Sequence, residues 1–235
     1  MNYLIFAGQS SLDHCMAVEH CPSYPAGQRS VTKATIPGRN GDEAQDDGTY
    51  ANVVQPYEVW FNGKPFGGFN AGAARVANWL LGPKGYQRLE DSYDPETFRL
   101  ALFTGPMDIT NWMLRRGRAT LEVDCKPERW LKAGQIPVIV TSGEVLYNAW
   151  REAKPLLYAT GNGILNIGSK SITISGTSGE VTIDCDVKDA WQGLNNLNDN
   201  IEVANRDWPT LPPGETTVTY TGLTSVKIVP RWWRL

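Results

Sequence analysis

The stretch Arg118-Ala119-Thr120-Leu121-Glu122-Val123-Asp124-Cys125-Lys126-Pro127 decides how the chain is read. Ala119, Leu121, Val123 and Cys125 alternate with Arg118, Thr120, Glu122 and Asp124, the period-two pattern of a strand with one buried face. After Cys125-Lys126-Pro127 the character of the sequence changes. A domain boundary is placed there, giving residues 1–125 and 126–235.

Before that strand the pattern is mixed. Tyr3–Phe6 is an apolar strand candidate, ended by Gly8. Pro37-Gly38-Arg39-Asn40-Gly41 and the acidic segment up to Gly48 read as turns, because Gly and Asn supply the positive φ that tight loops need. Glu58–Phe61 has strand composition, and Asn62-Gly63 after it is a hairpin-turn signal. A helix is expected over Ala71–Leu81, capped by Asn70 and ended by Gly82-Pro83, with Ala73, Ala74, Ala77, Leu80 and Leu81 on one face. Leu100–Phe103 adds a strand. The first half reads as α+β, one helix laid against a sheet.

Beyond the boundary the strands are short and separated by turn signals. They are Ile136–Thr141, Leu156–Thr160, Ile164–Ile167, Ser171–Ser175, Glu180–Cys185, Thr216–Tyr220 and Ser225–Val229, with Asn162-Gly163 and Ser178-Gly179 as hairpin turns. That spacing without helices predicts an antiparallel β-sandwich. The fold class is mainly β.

The composition narrows the function classes. Of 235 residues 41% are hydrophobic and 20% charged, and the net charge is -3, a globular balance. Residues 1–125 carry 11 basic and 14 acidic groups and residues 126–235 carry 11 of each, so neither half has the cationic excess that phosphate binding needs. No apolar run approaches the ~20 residues that span a bilayer, and the N-terminus does not read as a signal peptide. The four cysteines, Cys15, Cys21, Cys125 and Cys185, are therefore expected as buried free thiols.

Candidate chemistry is sparse. His14-Cys15 and His20-Cys21 offer zinc-ligand types, but adjacent residues on a strand point to opposite faces, so ordinary packing is expected and no metal. Asp184 and Asp186 would project from one strand face about 6–7 Å apart, a spacing usable in glycoside hydrolysis, or with Asp189 in calcium binding. The competing reading is a solvated strand face or a turn cap. Asp42-Glu43-Ala44-Gln45-Asp46-Asp47-Gly48 lacks calcium-loop spacing and is expected as a solvated turn. No Gly-x-Ser-x-Gly elbow is present, and Gly161-Asn162-Gly163 is no phosphate loop. No catalytic residue, cofactor or enzyme activity is expected. Six of the nine tryptophans follow residue 126: Trp130, Trp150, Trp191, Trp208, Trp232 and Trp233. They could stack on sugars or plug cores and interfaces. Trp232 and Trp233 are adjacent, so one should face inward and one outward, making Pro230–Leu235 an ordered part of the fold.

Several motifs occur in an order that resembles phage distal tail proteins, the Dit-like siphophage tail component family. Tyr86–Pro95 resembles their signature through Arg88, Leu89, Asp91, Tyr93 and Pro95. Pro37–Gly41 precedes it, and Cys125-Lys126-Pro127 stands at the junction. Then follow Gly161-Asn162-Gly163, Val181–Asp184, Trp208–Gly214 (with Pro209, Leu211 and Gly214) and Pro230–Leu235 (with Pro230 and Trp232). The chain departs from the family at Trp208 (usually Phe), Glu215 (often Asn) and Asn148-Ala149 (commonly Asn-Pro).

The resemblance implies a tail-tube-like ring-forming domain over 1–125 and a galectin-like sandwich over 126–235. It implies a homohexameric ring at the virion tail tip, assembled in the bacterial host cytoplasm. Its partners would be the major tail tube protein, the tail-tip hub protein and receptor-binding proteins, with DNA only as cargo and no membrane. Pro37–Gly48 and a hairpin near Asn62-Gly63 would be arms to the next subunit. The alternative is a carbohydrate-binding module. A glycosidase would rest on Asp184 and Asp186 alone.

Overall fold

The computed structural model describes residues 1–105 and 116–235 in full, and 110–113 as backbone. The chain divides into two units, Met1–Arg129 with Leu235 and Trp130–Arg234, each with its own hydrophobic core.

The first unit contains β1 (Leu4–Phe6), β2 (Gln9–Ser10), β3 (Met16–Val18), β4 (Arg29–Thr35), β5 (Asp42–Tyr50) and β6 (Val53–Asn62). Helix α1 (Phe69–Leu81) follows, then β7 (Gln87–Asp91), β8 (Thr97–Leu102), β9 (Thr110–Met113) and β10 (Arg116–Cys125). The antiparallel order is β2-β1-β7-β8-β10-β6-β3, with β9 on β10. β10 buries Leu121, Val123 and Cys125 and turns Arg118, Thr120 and Glu122 to solvent, as its alternation predicts. It pairs with β6 from Arg116 opposite Asn62 to Cys125 opposite Val53.

Three local expectations change in this unit. Asn62-Gly63 does not turn a hairpin: a 3-10 turn over Lys64–Phe66 follows and leads into α1. A Cβ on Gly63 would lie 2.6 Å from the Gly68 carbonyl oxygen, so this glycine serves a close chain crossing. Helix α1 starts at Phe69 with Gly68 at its N-cap, which leaves Asn70 inside the first turn rather than capping it. Its buried face is Gly72, Val76, Trp79 and Leu80, while Ala74 and Leu81 are exposed. The bare Cα of Gly72 lets the helix settle on Phe61, where a Cβ would come within 2.3 Å of the ring. Burying Trp79 and Val76 also removes more apolar surface than burying alanines.

The acidic segment is the third change. Asp42–Gly48 is strand, not turn: β4 and β5 form a two-stranded sheet of their own, closed by the turn around Pro37–Gly41. Every residue from Val31 to Thr49 is exposed.

The second unit is organised by two long strands. β11 (Arg129–Leu131) crosses the junction in sequence, followed by β12 (Val138–Val140), β13 (Glu144–Asn148), β14 (Leu156–Ile167), β15 (Lys170–Ile174) and β16 (Glu180–Asp184). Then come β17 (Asp189–Gln192), β18 (Asn195–Asn196), β19 (Ile201–Val203), β20 (Gly214–Val229) and β21 (Trp233–Arg234). β14 and β20 pair antiparallel from Leu156 opposite Val229 to Ile167 opposite Val218, with register shifts at Gly161. The first half of β14 also pairs with β16 and its second half with β15. The corresponding halves of β20 pair with β12 and β13. One antiparallel sheet is thus curled into two layers, and Leu157, Leu165, Ile167, Ile172, Ile183, Val218 and Ile228 from both layers fill one core.

This arrangement corrects the strand count. Leu156–Thr160 and Ile164–Ile167 are one strand, as are Thr216–Tyr220 and Ser225–Val229. Gly161-Asn162-Gly163 is therefore a bulge rather than a hairpin turn. Gly161 has φ +103, and a Cβ on Gly163 would lie 2.0 Å from the Thr221 carbonyl oxygen. Ser178-Gly179 connects β15 to β16, which pair with β14 and not with each other.

Candidate functional site

Among the described residues the β4–β5 arm is the longest stretch of strand left exposed. Its own ladder runs from Arg29 opposite Tyr50 to Thr35 opposite Asp42. Arg29 and Asp46 form an ion pair at 2.8 Å, and Thr35 donates to Asp42 at 2.8 Å. Neither face buries an apolar stripe, and Val31 and Ile36 remain 38% and 37% exposed. A lone two-stranded ribbon is marginal in water, so such an arm gains stability when a further surface covers it.

Where the arm joins its unit, a polar cluster forms around Asp91. Tyr24 donates its hydroxyl to Asp91 at 2.8 Å and Tyr57 donates at 3.1 Å. The amides of Tyr93 and Asp94 donate to the same carboxylate at 2.8 and 2.9 Å, so Asp91 also caps the turn after β7. Asp94 accepts from Thr97 at 2.6 Å and from Arg129 at 3.2 Å, and the Arg129 guanidinium lies 4.7 Å from the Tyr24 ring centroid. Burial and the bond to Asp91 push the Tyr24 hydroxyl far above its ordinary pKa. Burial, with the Asp91 charge, does the same to Tyr57, so both stay neutral donors. Arg99 donates to the Pro25 carbonyl at 2.9 Å, and Gln55 to the Ser23 carbonyl at 2.5 Å.

Of these residues the signature stretch Tyr86–Pro95 supplied Asp91, Asp94 and the amide of Tyr93. Gln55 and Tyr57 had a readable signal, since they occupy inward positions of β6 between Val53 and Val59, and a polar residue on a buried face must find partners. Tyr24, Arg99 and Arg129 come from distant segments and carry no such pattern.

The remaining signature residues are dispersed. Arg88 lies exposed with its guanidinium 4.0 Å from the Phe98 ring centroid, and it pairs with Glu90. Leu89 is in the first core, Tyr93 packs at its margin and accepts from Asn2, and Pro95 is exposed. Cys125 is buried, which pushes its thiol up to about 12, and Pro127 is buried beside Gly27. Pro209 and Pro230 are buried, Leu211 bridges Ala153, and Gly214 opens β20 at φ +100. Trp232 covers Gly134, where a Cβ would lie 2.5 Å from the Trp232 amide nitrogen.

The carboxylate pair is not built as an active site. β16 ends at Asp184, so Asp186 lies in the turn beyond rather than on the same strand face. Asp184 accepts from Arg231 at 2.8 and 2.7 Å and from the amides of Asp186 and Val187 at 2.9 and 3.3 Å. Burial alone would raise its carboxyl, but these bonds and the Arg231 charge outweigh it and hold Asp184 below its ordinary 3.8. Asp186 pairs instead with Lys154 at 2.9 Å.

The histidines separate as well. His14 stacks on Trp79 at 4.4 Å and bonds Gln9 at 3.0 Å, while His20 is exposed 4.0 Å from Glu58. Among the described residues no group of His, Cys, Asp or Glu could hold a metal ion. Cys185 and Cys125 are buried, but Cys21 is exposed and Cys15 half-buried, which corrects the expectation of four buried thiols. Cys15 is the left-handed cap that ends the 3-10 turn Ser11–His14, and Cys21 lies in the irregular segment after β3, so neither side chain occupies an inward strand position.

The tryptophans mostly pack. Trp208, Trp232 and Trp233 lie against the second core, and Trp130 sits 6.5 Å from Trp233. Trp232 and Trp233 are both half-buried, not one in and one out. Arg231 at φ +56 interrupts the extended backbone before them, so strand alternation does not carry through. In a cleft of about 500 Å³ lined by β14, β15 and β20, Lys170 pairs with Asp207 and donates to the Trp208 carbonyl and to Thr210, and Glu152 accepts from Thr210.

No family model matches the chain, and no curated protein sequence matches it. Solved structures share its fold. The Dit protein of phage SPP1, described as a paradigm of the hub adsorption apparatus in phages that infect Gram-positive bacteria, superposes with a TM-score of 0.70 at 14% identity. That likeness covers 97% of this chain and 98% of SPP1 Dit. A chain of the phage p2 baseplate in its activated conformation with strontium gives 0.51 at 9% identity, covering 97% of each chain. One from the calcium form gives 0.52 at 10% identity, covering 100% of this chain and 98% of the other. The chain has the fold of these phage tail proteins.

Proposed function

We propose that the chain is a structural hub protein of a phage or prophage tail tip. Six copies close into a ring through residues 1–125, a tail-tube-like domain, and the ring joins the major tail tube protein to the tail-tip or baseplate hub. Residues 126–235 form a galectin-like domain on the periphery, where receptor-binding proteins attach. The signature residues serve this fold structurally and none is catalytic.

The observation that carries the reading is the β4–β5 arm, a paired ribbon in which every residue from Val31 to Thr49 is exposed. A ring of identical subunits needs contacts between two different patches, and a projecting ribbon that reaches the next copy supplies one. Its free edges would be covered by closure. The fold shared over 97% of the chain with SPP1 Dit supports the same role. Asp42, Glu43, Gln45, Asp46 and Asp47 on β5 suit a non-adhesive wall for DNA passing as cargo.

Among the described residues no helix is long and apolar enough to cross a membrane. The finished position is the virion tail tip, after assembly in the host cytoplasm. Purified protein is expected to leave a polysaccharide panel intact, because Asp184 is neutralised by Arg231.

Native mass spectrometry of the isolated chain and of a co-expressed tail-tip complex tests the ring. Six copies in either sample support it. A stable dimer in both, held by residues 126–235, overturns it.

A further inference from the structure

The arm is exposed from Val31 to Thr49 but fastened at its root. Ser23–Gly27, the segment that enters β4, is held from five sides. Gln55 and Arg99 bind the carbonyls of Ser23 and Pro25, Asp91 binds the Tyr24 hydroxyl, and Arg129 covers the Tyr24 ring. Gly27 abuts Pro127 so closely that a Cβ on it would lie 2.7 Å from the proline ring. The exit strand is tied as well: Ala51 donates to the Gln28 carbonyl at 2.8 Å, and Asn52 binds Tyr86 at 2.6 Å and Asp124 at 3.0 Å. These anchors come from β6, β7, β8, β10 and the segment 127–129 that follows it, so the root is tied to several strands at once.

We infer that Asp91 is a positioning residue for the arm: its bond to Tyr24 fixes the direction in which β4 and β5 leave the sheet. The same carboxylate binds Tyr57 on β6 and the turn after β7, so it is itself held rigidly at the centre of the unit. Tyr24 is the only one of its four donors that belongs to the arm's root. The other three tie Asp91 to the sheet, which makes the Tyr24 bond the separable one. A disordered or misdirected arm would carry an ordering cost into every contact it makes. The consequence for assembly rests on the arm being a subunit contact, as proposed above. The latch itself does not.

Hydrogen–deuterium exchange on the full chain tests the latch. Tyr24→Phe removes only the hydroxyl and keeps the ring beneath Arg129. Tyr24→Ala removes both. Exchange over Ser23–Tyr50 is expected to quicken about fivefold in the first and more in the second, with β6 and β10 unchanged. Asp91→Asn, which keeps an acceptor oxygen, should stay closer to the parent than Asp91→Ala. A purely structural role would instead loosen β6 and β10 together with the root. Unchanged exchange over Ser23–Tyr50 in folded Tyr24→Ala, or a rise spread evenly over the sheet, overturns the latch. If the arm loosens while the oligomer persists, the latch stands and the arm-mediated ring fails, so the two readings are separated.

Discussion

Two antiparallel ribbons of this molecule use the same backbone ladder and end in opposite environments. β14 and β20 pair over most of their length and bury Leu157, Leu165, Ile167, Val218, Val226 and Ile228. β4 and β5 also pair over most of their length, yet bury nothing between Val31 and Thr49. Backbone bonding therefore does not distinguish a core ribbon from an arm. The side chains do, because hydrogen bonds to water largely replace those of the ladder, whereas burying a Leu or Ile contributes about 1.5–3 kcal/mol. What holds the arm in place is its root, through polar contacts to a few fixed atoms.

The largest break in that comparison would come from the second unit's terminal segment. Deleting residues 230–235 removes Arg231 from Asp184 and uncovers the core beneath Trp232 and Trp233. Losing two half-buried tryptophans costs roughly what losing one buried Trp does, ~3–5 kcal/mol, and orphaning the Asp184 charge adds ~3, together comparable with a whole domain's stability. The truncated chain should aggregate or fail to fold, and a soluble product with unchanged melting would refute this.

A matched pair of alanine substitutions sharpens the contrast. Leu165→Ala on β14 should cost about 2–5 kcal/mol, and Val31→Ala on β4 below about 0.5 kcal/mol, by denaturant unfolding. Equal costs would mean that the arm is packed.

The Asp184–Arg231 pair gives a smaller, pH-dependent effect. Asp184 has a lowered carboxyl in the fold, so its contribution is present above the unfolded value and is lost as pH falls through the folded one. Arg231→Met should cost about 2–3 kcal/mol at pH 7, less than a fully buried pair because the side chain of Arg231 is 22% exposed. In Asp184→Asn the loss of stability below about pH 4 should shrink. A parallel pH profile in both variants and the parent would refute the assignment.

The smallest effect on stability should come from the arm. Replacing 31–49 by a short Gly linker is expected to move melting by no more than ~2 °C, equivalent to about 0.5 kcal/mol in a chain this size. The same variant should lose the six-copy species. Preserved assembly would break the link between exposure and function.

How much was legible follows the same division. The alternation Ala119–Cys125 gave β10 its buried face without help, because period two is a property of the strand itself. The same holds for the β-rich character of the second half and the end of α1 at Gly82. The helix face was misread at Ala74 and Leu81, since local apolarity does not say that Gly72 admits the ring of Phe61. Gly161-Asn162-Gly163 was misread because glycine marks both a turn and a bulge. Only the partner strand, with Gly222 opposite, selects between them.

By itself, then, the sequence determined the features whose signals are local: period-two strands, glycine and proline punctuation, and a charge balance with no cationic excess in either half. The tertiary structure alone decided that β14 and β20 each run unbroken through two layers, that Asp42–Gly48 is strand rather than turn, and that Asp91 gathers Tyr24, Tyr57 and the turn after β7. Those outcomes depend on contacts between residues far apart in the sequence, such as Leu156 with Val229 and Tyr24 with Asp91, the latter 67 positions apart. No local pattern encodes such a pairing, because each partner's polarity is satisfied equally well by water until the sheet brings them together.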